Sequence, residues 1–226
     1  MNKEIFARSI GFLGEEDFNK IQNKTIAIFG LGGVGGTALE ALARTGFQHF
    51  VLVDFDKVDS SNINRQILYL YEDIGKVKVE VAKKRMLAIN PEADIEIFNM
   101  KAQDFDFDKK IDFIVDAIDD VKGKIFLVGK AQEKGIPLIM SLGMANRFDP
   151  NKVRITKLNQ THNDPLAKKV RYLVKNEGFD MSNISVVVSE ELPTKNGVIL
   201  YSTMMAPSAA GLSIAKFILD SIINNK

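Results

Sequence analysis

The chain has 226 residues, with 30 basic and 29 acidic side chains and no cysteine. This length allows one α/β domain with a well-filled core, and the balanced charge excludes a uniformly basic or acidic protein. The lack of cysteine excludes disulfides, thiolate zinc sites and a cysteine nucleophile. The N-terminal residues 1–14 have no apolar signal-peptide run, and no window holds about 18 uninterrupted apolar residues. We therefore expect a cytoplasmic protein with no integral membrane segment.

A glycine-rich loop follows the first predicted strand. Residues 24–46 (KTIAIFGLGGVGGTALEALARTG) have the pattern of a strand, a turn and a helix, and Gly30, Gly32 and Gly35 have the spacing G-x-G-x-x-G. Glycine allows backbone to approach phosphate closely, and free N–H groups at a helix start bind anionic oxygens. The next predicted strand, HFVLVD, ends at Asp54, where such folds bind a ribose hydroxyl. The pattern predicts a nucleotide site but does not distinguish a dinucleotide from ATP.

Helices and strands alternate through the following part of the chain. After a polar stretch at residues 54–66, we predict helices at 75–89 and 122–134 and strands at 94–99, 111–116 and 137–142. This alternation is typical of a parallel, doubly wound sheet. The sequence therefore predicts a Rossmann-like α/β fold with a mostly parallel sheet.

The last third of the chain has a different character. We predict strands at 153–158 and 184–191 on a part of the sheet that turns antiparallel, with a basic helix at 164–176 between them. Asp164 is the predicted N-cap of that helix and is followed by a proline. A final amphipathic helix at 211–223 is interpreted as core or subunit interface rather than membrane-surface contact. We expect a single domain over residues 1–226.

Polar side chains cluster near the ends of successive predicted strands, where open α/β sheets bind ligands. They are Asp54, Asp56, Asn64, Arg65, Gln66, Lys78, Asp116 and Asp119. Cations beside a glycine loop neutralise phosphate charge, and an acid there can hold magnesium. Each has a simpler explanation: Lys78 as a solvated lysine, Arg65 as a surface ion pair, and Asp119 as the N-cap of the next helix. Their joint placement favours triphosphate chemistry.

Four segments together resemble the ubiquitin-activating-enzyme-like adenylation family: GLGGVGG, LVDFDKVDSSNINRQ, IGKVKVEVAKKRMLAINP and DAIDD. The resemblance covers residues 6–143. It implies ATP bound by Gly30, Gly32, Gly33, Gly35 and Asp54, with phosphate contacts from Asn64, Arg65 and Lys78. It also implies Mg²⁺ held by Asp119. Asp56 is expected to support the loop or the metal.

The N-terminal segment FARSIGFLG resembles a family segment whose arginine reaches into the active site of a partner subunit. The resemblance therefore implies a homodimer in which Arg8 acts with Arg65, Lys78 and Asp119 in catalysis. The alternative for Arg8 is an exposed surface arginine.

Segments of the last third resemble the branch of this family that cyclises threonylcarbamoyladenosine in tRNA. They are THNDPLAKKVRYLVK, VVVSEELP and APSAAGLSIAKFI. The resemblance implies ATP-dependent ring closure through a carboxyl-adenylate, with modified tRNA as substrate and a cysteine desulfurase or sulfur acceptor as a further partner. Seven cations are candidates for RNA phosphate contacts, namely Lys152, Arg154, Lys157, Lys168, Lys169, Arg171 and Lys175. The alternative for the basic helix is a solvated face.

Three other functions share the predicted nucleotide site. An activator of a small carrier protein's C-terminal carboxylate would use the same adenylation residues, but such activators typically have a C-x-x-C zinc pair, which this chain lacks. A nicotinamide-dependent dehydrogenase would leave Arg65, Lys78 and Asp119 unexplained. A non-catalytic nucleotide-binding scaffold would bind ATP without exchanging pyrophosphate.

Overall fold

The computed structural model describes residues 3–194 and 201–223. The strands are β1 Thr25–Phe29, β2 His49–Val53, β3 Asp94–Phe98, β4 Phe113–Asp116, β5 Leu138–Ser141, β6 Val153–Lys157 and β7 Ser185–Ser189. The helices are α1 Ala7–Leu13, α2 Glu15–Gln22, α3 Gly33–Thr45, α4 Lys78–Ile89, α5 Val121–Lys134, α6 Pro165–Asn176 and α7 Met205–Ile223.

Within the described residues, the strands form one seven-stranded sheet in the order β3-β2-β1-β4-β5-β7-β6. Every neighbouring pair is parallel except β6 and β7, which are antiparallel. The predicted fold class is confirmed. The strand order reverses between β1 and β4, and a crevice at such a switch point is where open α/β sheets bind ligands.

Helices cover both faces of the sheet, which explains why its parallel strands are apolar on both sides. Successive side chains of a strand point to opposite faces. In β1, Ile26 and Ile28 therefore pack with α3 and α7, while Ala27 and Phe29 lie in the core formed with α5 and α6. These two cores fix the ends of the strands, where the polar residues lie.

The sequence predicted most of the helices and strands, but it predicted the residues at which they begin and end less accurately. The helix predicted from residue 75 begins at Lys78, because Gly75 has a positive φ of 87° and Val77 is extended. Helices α1 and α2 were not predicted. The basic helix α6 is confirmed, and the Asp164 carboxylate caps it by accepting a hydrogen bond from the N–H of Ala167 at 2.8 Å.

Helix α7 begins at Met205, earlier than the predicted residue 211. By length and composition alone this helix could cross a membrane, but Lys216 and Asp220 interrupt its apolar residues, in agreement with the prediction that no uninterrupted apolar run of that length is present. One face of it nevertheless contributes Ile214 and Ile218 to the core, as the core interpretation predicted. It also packs closely on α3: a Cβ at Gly211 would lie 2.5 Å from the carbonyl oxygen of Val34.

Candidate active site

The glycine loop lies at the switch point, against the segment that follows β4. Gly30 has a φ of 87°, and a Cβ there would lie 2.7 Å from the carbonyl oxygen of Ala117. A Cβ at Gly35 would overlap the carbonyl oxygen of Gly30. Both positions require glycine, because any side chain would displace backbone. The loop is therefore built into the fold and adjoins the segment that carries Asp119.

Asp54 fixes the other side of the loop. One carboxylate oxygen accepts the N–H of Leu31 at 2.6 Å, and the other accepts the N–H of Asp56 at 2.8 Å. Burial raises the pKa of Asp54, while the charge of Lys78 and the two N–H groups act in the opposite direction. Each carboxylate oxygen has a second lone pair, so a ligand hydroxyl can still bind there.

Lys78 is a buried cation beside these two acids. Its side chain is 6% exposed, and its Nζ donates to the Asp56 carboxylate at 2.8 Å. The interpretation of Lys78 as a solvated lysine is therefore wrong. The Asp56 carboxylate holds this ammonium in place, while its expected support of the loop or the metal stays a prediction.

The segment containing Asn64 and Arg65 lies directly beside the glycine loop. A Cβ at Gly33 would lie 3.2 Å from the carbonyl oxygen of Arg65. The Arg65 guanidinium donates to the carbonyl of Ser61 at 2.5 Å and to the Asn64 amide oxygen at 2.9 Å, so it forms no surface ion pair among the described residues. The remaining guanidinium donors can reach a ligand.

Asp119 is exposed and follows β4. The following helix, α5, is capped instead by Asp120, which accepts the N–H groups of Lys122 and Gly123 at 3.2 and 2.9 Å. The alternative role of Asp119 as that N-cap is wrong. Its carboxylate is thus available at the switch point.

Arg8 is not brought to this site within one chain. It lies exposed on α1, and its guanidinium forms no hydrogen bond with another described residue. The fold by itself therefore leaves its predicted catalytic role untested.

The ThiF family matches residues 6–221. The chain belongs to the ThiF family. It is 38% identical to the tRNA threonylcarbamoyladenosine dehydratase of Bacillus subtilis over 83% of this chain and 75% of that protein. It is 33% identical to the Escherichia coli enzyme of the same name over 77% of this chain and 67% of that protein.

The likeness extends to solved structures. The E. coli tRNA N6-threonylcarbamoyladenosine dehydratase in complex with ATP is 29% identical, with a TM-score of 0.92 over 98% of this chain and 95% of that one. A complex of that protein with AMP has the same TM-score. At this coverage the match in fold includes the C-terminal third of this ThiF-family chain as well as its nucleotide-binding part.

Sequence reasoning missed a buried ion pair in this ThiF-family chain. Lys124 of α5 donates to Asp116 at 2.9 Å and to the carbonyl of Ser141 at 2.8 Å, and both charged side chains are fully buried. Burial raises the pKa of Asp116, and the charge of Lys124 opposes this shift. The pair ties the end of β4 to the end of β5. The surrounding segment, VKGKIFLVGKAQEK, holds four lysines, and nothing in it distinguishes Lys124 from the others.

The candidate RNA contacts of this ThiF-family protein separate into two groups. Arg171 bonds the carbonyl of Thr161, Arg154 pairs with Glu190, and Lys157 donates to Ser185. The exposed group, without ion pairs to other described residues, comprises Lys152, Lys168, Lys169 and Lys175. Three of the seven predicted cations thus have structural partners.

Proposed function

We propose that this protein catalyses the ATP-dependent cyclisation of threonylcarbamoyladenosine in tRNA, as a single adenylation domain over residues 1–226. The likeness to dehydratases over nearly the whole chain carries the proposal. Molybdopterin-synthase adenylyltransferase from Haemophilus influenzae, by contrast, matches over 61% of this chain. We place the reaction in the cytoplasm, where it would meet its tRNA substrate.

The reaction begins with activation of a carboxylate. The threonyl carboxylate of the modified adenosine attacks the α-phosphate of ATP, which forms the acyl-adenylate and releases pyrophosphate. Negative charge grows on the phosphate oxygens during this step. Lys78 and Arg65 are the cations beside the glycine loop that would stabilise it. The Lys78–Asp56 contact keeps the ammonium oriented before the nucleotide binds.

The loop residues fit a nucleotide. Among the described residues other than its neighbours in the chain, a Cβ at Gly32 would have one atom within 4 Å, the Gln66 Nε2 at 3.8 Å, so this part of the structure leaves space beside Gly32 for a ligand. Gly30, Gly33 and Gly35 shape the turn, and Asp54 offers acceptor capacity for a ribose hydroxyl. Asn64 would contribute by orienting Arg65, since its amide oxygen accepts a hydrogen bond from the Arg65 guanidinium.

The second step needs no nucleophile from the protein. The carbamoyl group on the same substituent attacks the activated carbonyl carbon, the ring closes, and AMP leaves. The net change is the loss of one water from the nucleoside. Because the attack is intramolecular, its effective molarity can reach about 10⁵ M or more. The absence of cysteine is compatible with this chemistry.

Asp119 fits a magnesium ion that is held mainly by phosphate. No group of three or more acidic, histidine or cysteine side chains forms a metal cluster among the described residues. Mg²⁺ in nucleotide sites commonly takes one or two carboxylates together with phosphate oxygens and waters. Bound there, the ion would neutralise charge on the phosphates, and the exposed Asp119 carboxylate would orient it.

Asp119→Asn should lower the rate of AMP formation about tenfold at limiting Mg²⁺, with partial recovery at saturating Mg²⁺, because the amide is a weaker ligand than the carboxylate. Magnesium titrations of wild type and variant would measure this. Asp106→Asn, which changes another exposed aspartate, is the matched control. An unchanged magnesium dependence of Asp119→Asn would contradict the assignment.

Arg8 is proposed to act in the partner's active site of a homodimer. Arg8→Ala should reduce AMP formation about 10- to 100-fold and leave the dimer mass unchanged, because one phosphate contact is lost. Mixing Arg8→Ala and Lys78→Met subunits should restore about a quarter of wild-type activity, since each mixed dimer regains one intact site. Light scattering measures the dimer mass of Arg8→Ala, and AMP formation measures the activity of the variant and of the mixture. Mixed subunits that stay inactive would refute the cross-subunit role.

The homodimer and an association with a cysteine desulfurase or sulfur acceptor rest on the family resemblance. The central proposal is tested by mass spectrometry of nucleosides from threonylcarbamoyl-bearing tRNA incubated with the protein, ATP and Mg²⁺. We expect a product lighter by one water that is absent without ATP. An unchanged nucleoside, with pyrophosphate exchange that requires a protein ending in Gly-Gly, would favour activation of a carrier protein.

A further inference from the structure

The outer face of α6 combines lysines with an exposed aromatic ring. Lys168, Tyr172 and Lys175 are spaced i, i+4 and i+7, so they lie along one stripe of the helix, and Lys169 adjoins it three positions before Tyr172. The side chain of Tyr172 is 66% exposed. The opposite face, with Ala167, Val170 and Val174, is fully buried. We call the stripe with Lys169 the α6 outer face.

The polar groups of the α6 outer face have no side-chain partners among the described residues. Its three lysines form no ion pair with another described residue, and Tyr172 forms no hydrogen bond there. Arg171, in contrast, is turned to the side of the helix and is held by Thr161. Glu177, beyond Lys175, is the exposed acid at the C-cap of α6. The face is therefore a cationic surface with a large ring at its centre.

One end of this surface is fixed to the edge of the sheet that carries the candidate active site. Arg147 donates to the Asp164 carboxylate at 2.9 Å, and both side chains are buried. The same guanidinium also donates to the carbonyl of Gly143, just after β5. Since β5 and β4 are parallel, Gly143 and Asp119 follow strands that end at the same edge. The α6 outer face thus runs from this edge for about 18 Å.

We propose that the α6 outer face binds the RNA strand that flanks the reacting nucleoside. Lysine ammonium groups would contact successive phosphates, and the Tyr172 ring would stack on an unpaired base. Aromatic rings among cations are the usual means of binding single-stranded RNA, because phosphates attract the cations while bases stack on the ring. This inference rests on the proposed function and assigns a part of the tRNA-binding surface to it.

Binding can be measured without catalysis, by fluorescence anisotropy of labelled threonylcarbamoyl-bearing tRNA at several salt concentrations. The charge variant is Lys168→Gln with Lys175→Gln, and the ring variants are Tyr172→Ala and Tyr172→Phe. The matched charge control is Lys84→Gln with Lys216→Gln, which changes two exposed helical lysines on α4 and α7. ATP affinity, measured without RNA, reports whether each variant keeps its nucleotide site.

The charge variant should bind tRNA about tenfold more weakly and lower the slope of log K against log[salt] by about 1.5, as expected for two lost phosphate contacts. Tyr172→Ala should also lose about tenfold, with an unchanged slope, and Tyr172→Phe should bind within about twofold of wild type. If the charge and ring variants bind tRNA like the control, the α6 outer face does not bind the RNA, and the proposed function is unaffected. Wild-type protein that fails to bind the tRNA would overturn the proposed function together with this inference.

Discussion

Lys78→Met should reduce AMP formation about 10²- to 10³-fold while the protein remains folded, because it removes a preoriented cation from the phosphates. The wild-type ammonium is almost fully buried and is held 2.8 Å from Asp56. A water-excluded cation stabilises growing negative charge more strongly than a solvated one, so its loss affects the rate more than most surface changes would. Methionine keeps the unbranched chain and the packing at the start of α4.

Lys84→Met is the control on the same helix, since Lys84 is exposed. Single-turnover formation of AMP from ATP and modified tRNA measures the effect, and thermal unfolding reports the fold. A Lys78→Met protein that keeps its melting temperature and a rate within twofold of wild type would remove Lys78 from the chemistry.

Gly35→Ala should abolish detectable ATP binding and lower the melting temperature, whereas Gly32→Ala should lose ATP affinity with the melting temperature unchanged. The two positions differ in what a methyl group would meet. At Gly35 it would overlap the backbone of Gly30, so the loop itself must move. At Gly32 it would enter free space, where only a bound ligand could collide with it.

Calorimetric titration with ATP and thermal unfolding together separate these effects. Gly36→Ala is a useful third variant, because its methyl group would press on the Leu68 side chain, at 3.0 Å, instead of on backbone. We expect it to keep most of the ATP affinity. Normal ATP binding by Gly32→Ala would show that the nucleotide does not lie beside this loop position.

The fold and the positions of the glycine loop and Asp54 were predictable because their signals are local. A run of apolar residues, glycines at fixed spacing and a helix start are consecutive in residues 24–46, and they produced β1, the loop and α3 as expected. Asp54 could be placed because the residue after a parallel strand lies at the edge of the sheet. The structure adds that the Asp54 carboxylate accepts a hydrogen bond from the N–H of Leu31.

Features that depend on contacts distant in sequence could not be predicted. Lys124 looks like any helical lysine until the fold places Asp116 and Ser141 around it. Two adjacent acids, Asp119 and Asp120, compete for the N-cap of α5, and which one caps depends on where the helix starts. Helices α1 and α2 are short and lack strong start signals, so they gave no clear pattern.

The close packing of α7 on α3 bears on the order in which the site is completed during synthesis. Thr37 Oγ1 donates to Ser208 Oγ at 3.3 Å across 171 sequence positions, and a Cβ at Gly33 would lie 3.1 Å from the Pro207 side chain. The ribosome adds about 5–20 residues per second, so the loop would wait on the order of ten seconds for this neighbour. A nascent chain that stops before Pro207 would therefore hold its glycine loop without the helix that braces it. The capacity to bind nucleotide should accordingly appear late in translation, after most of the sheet has formed.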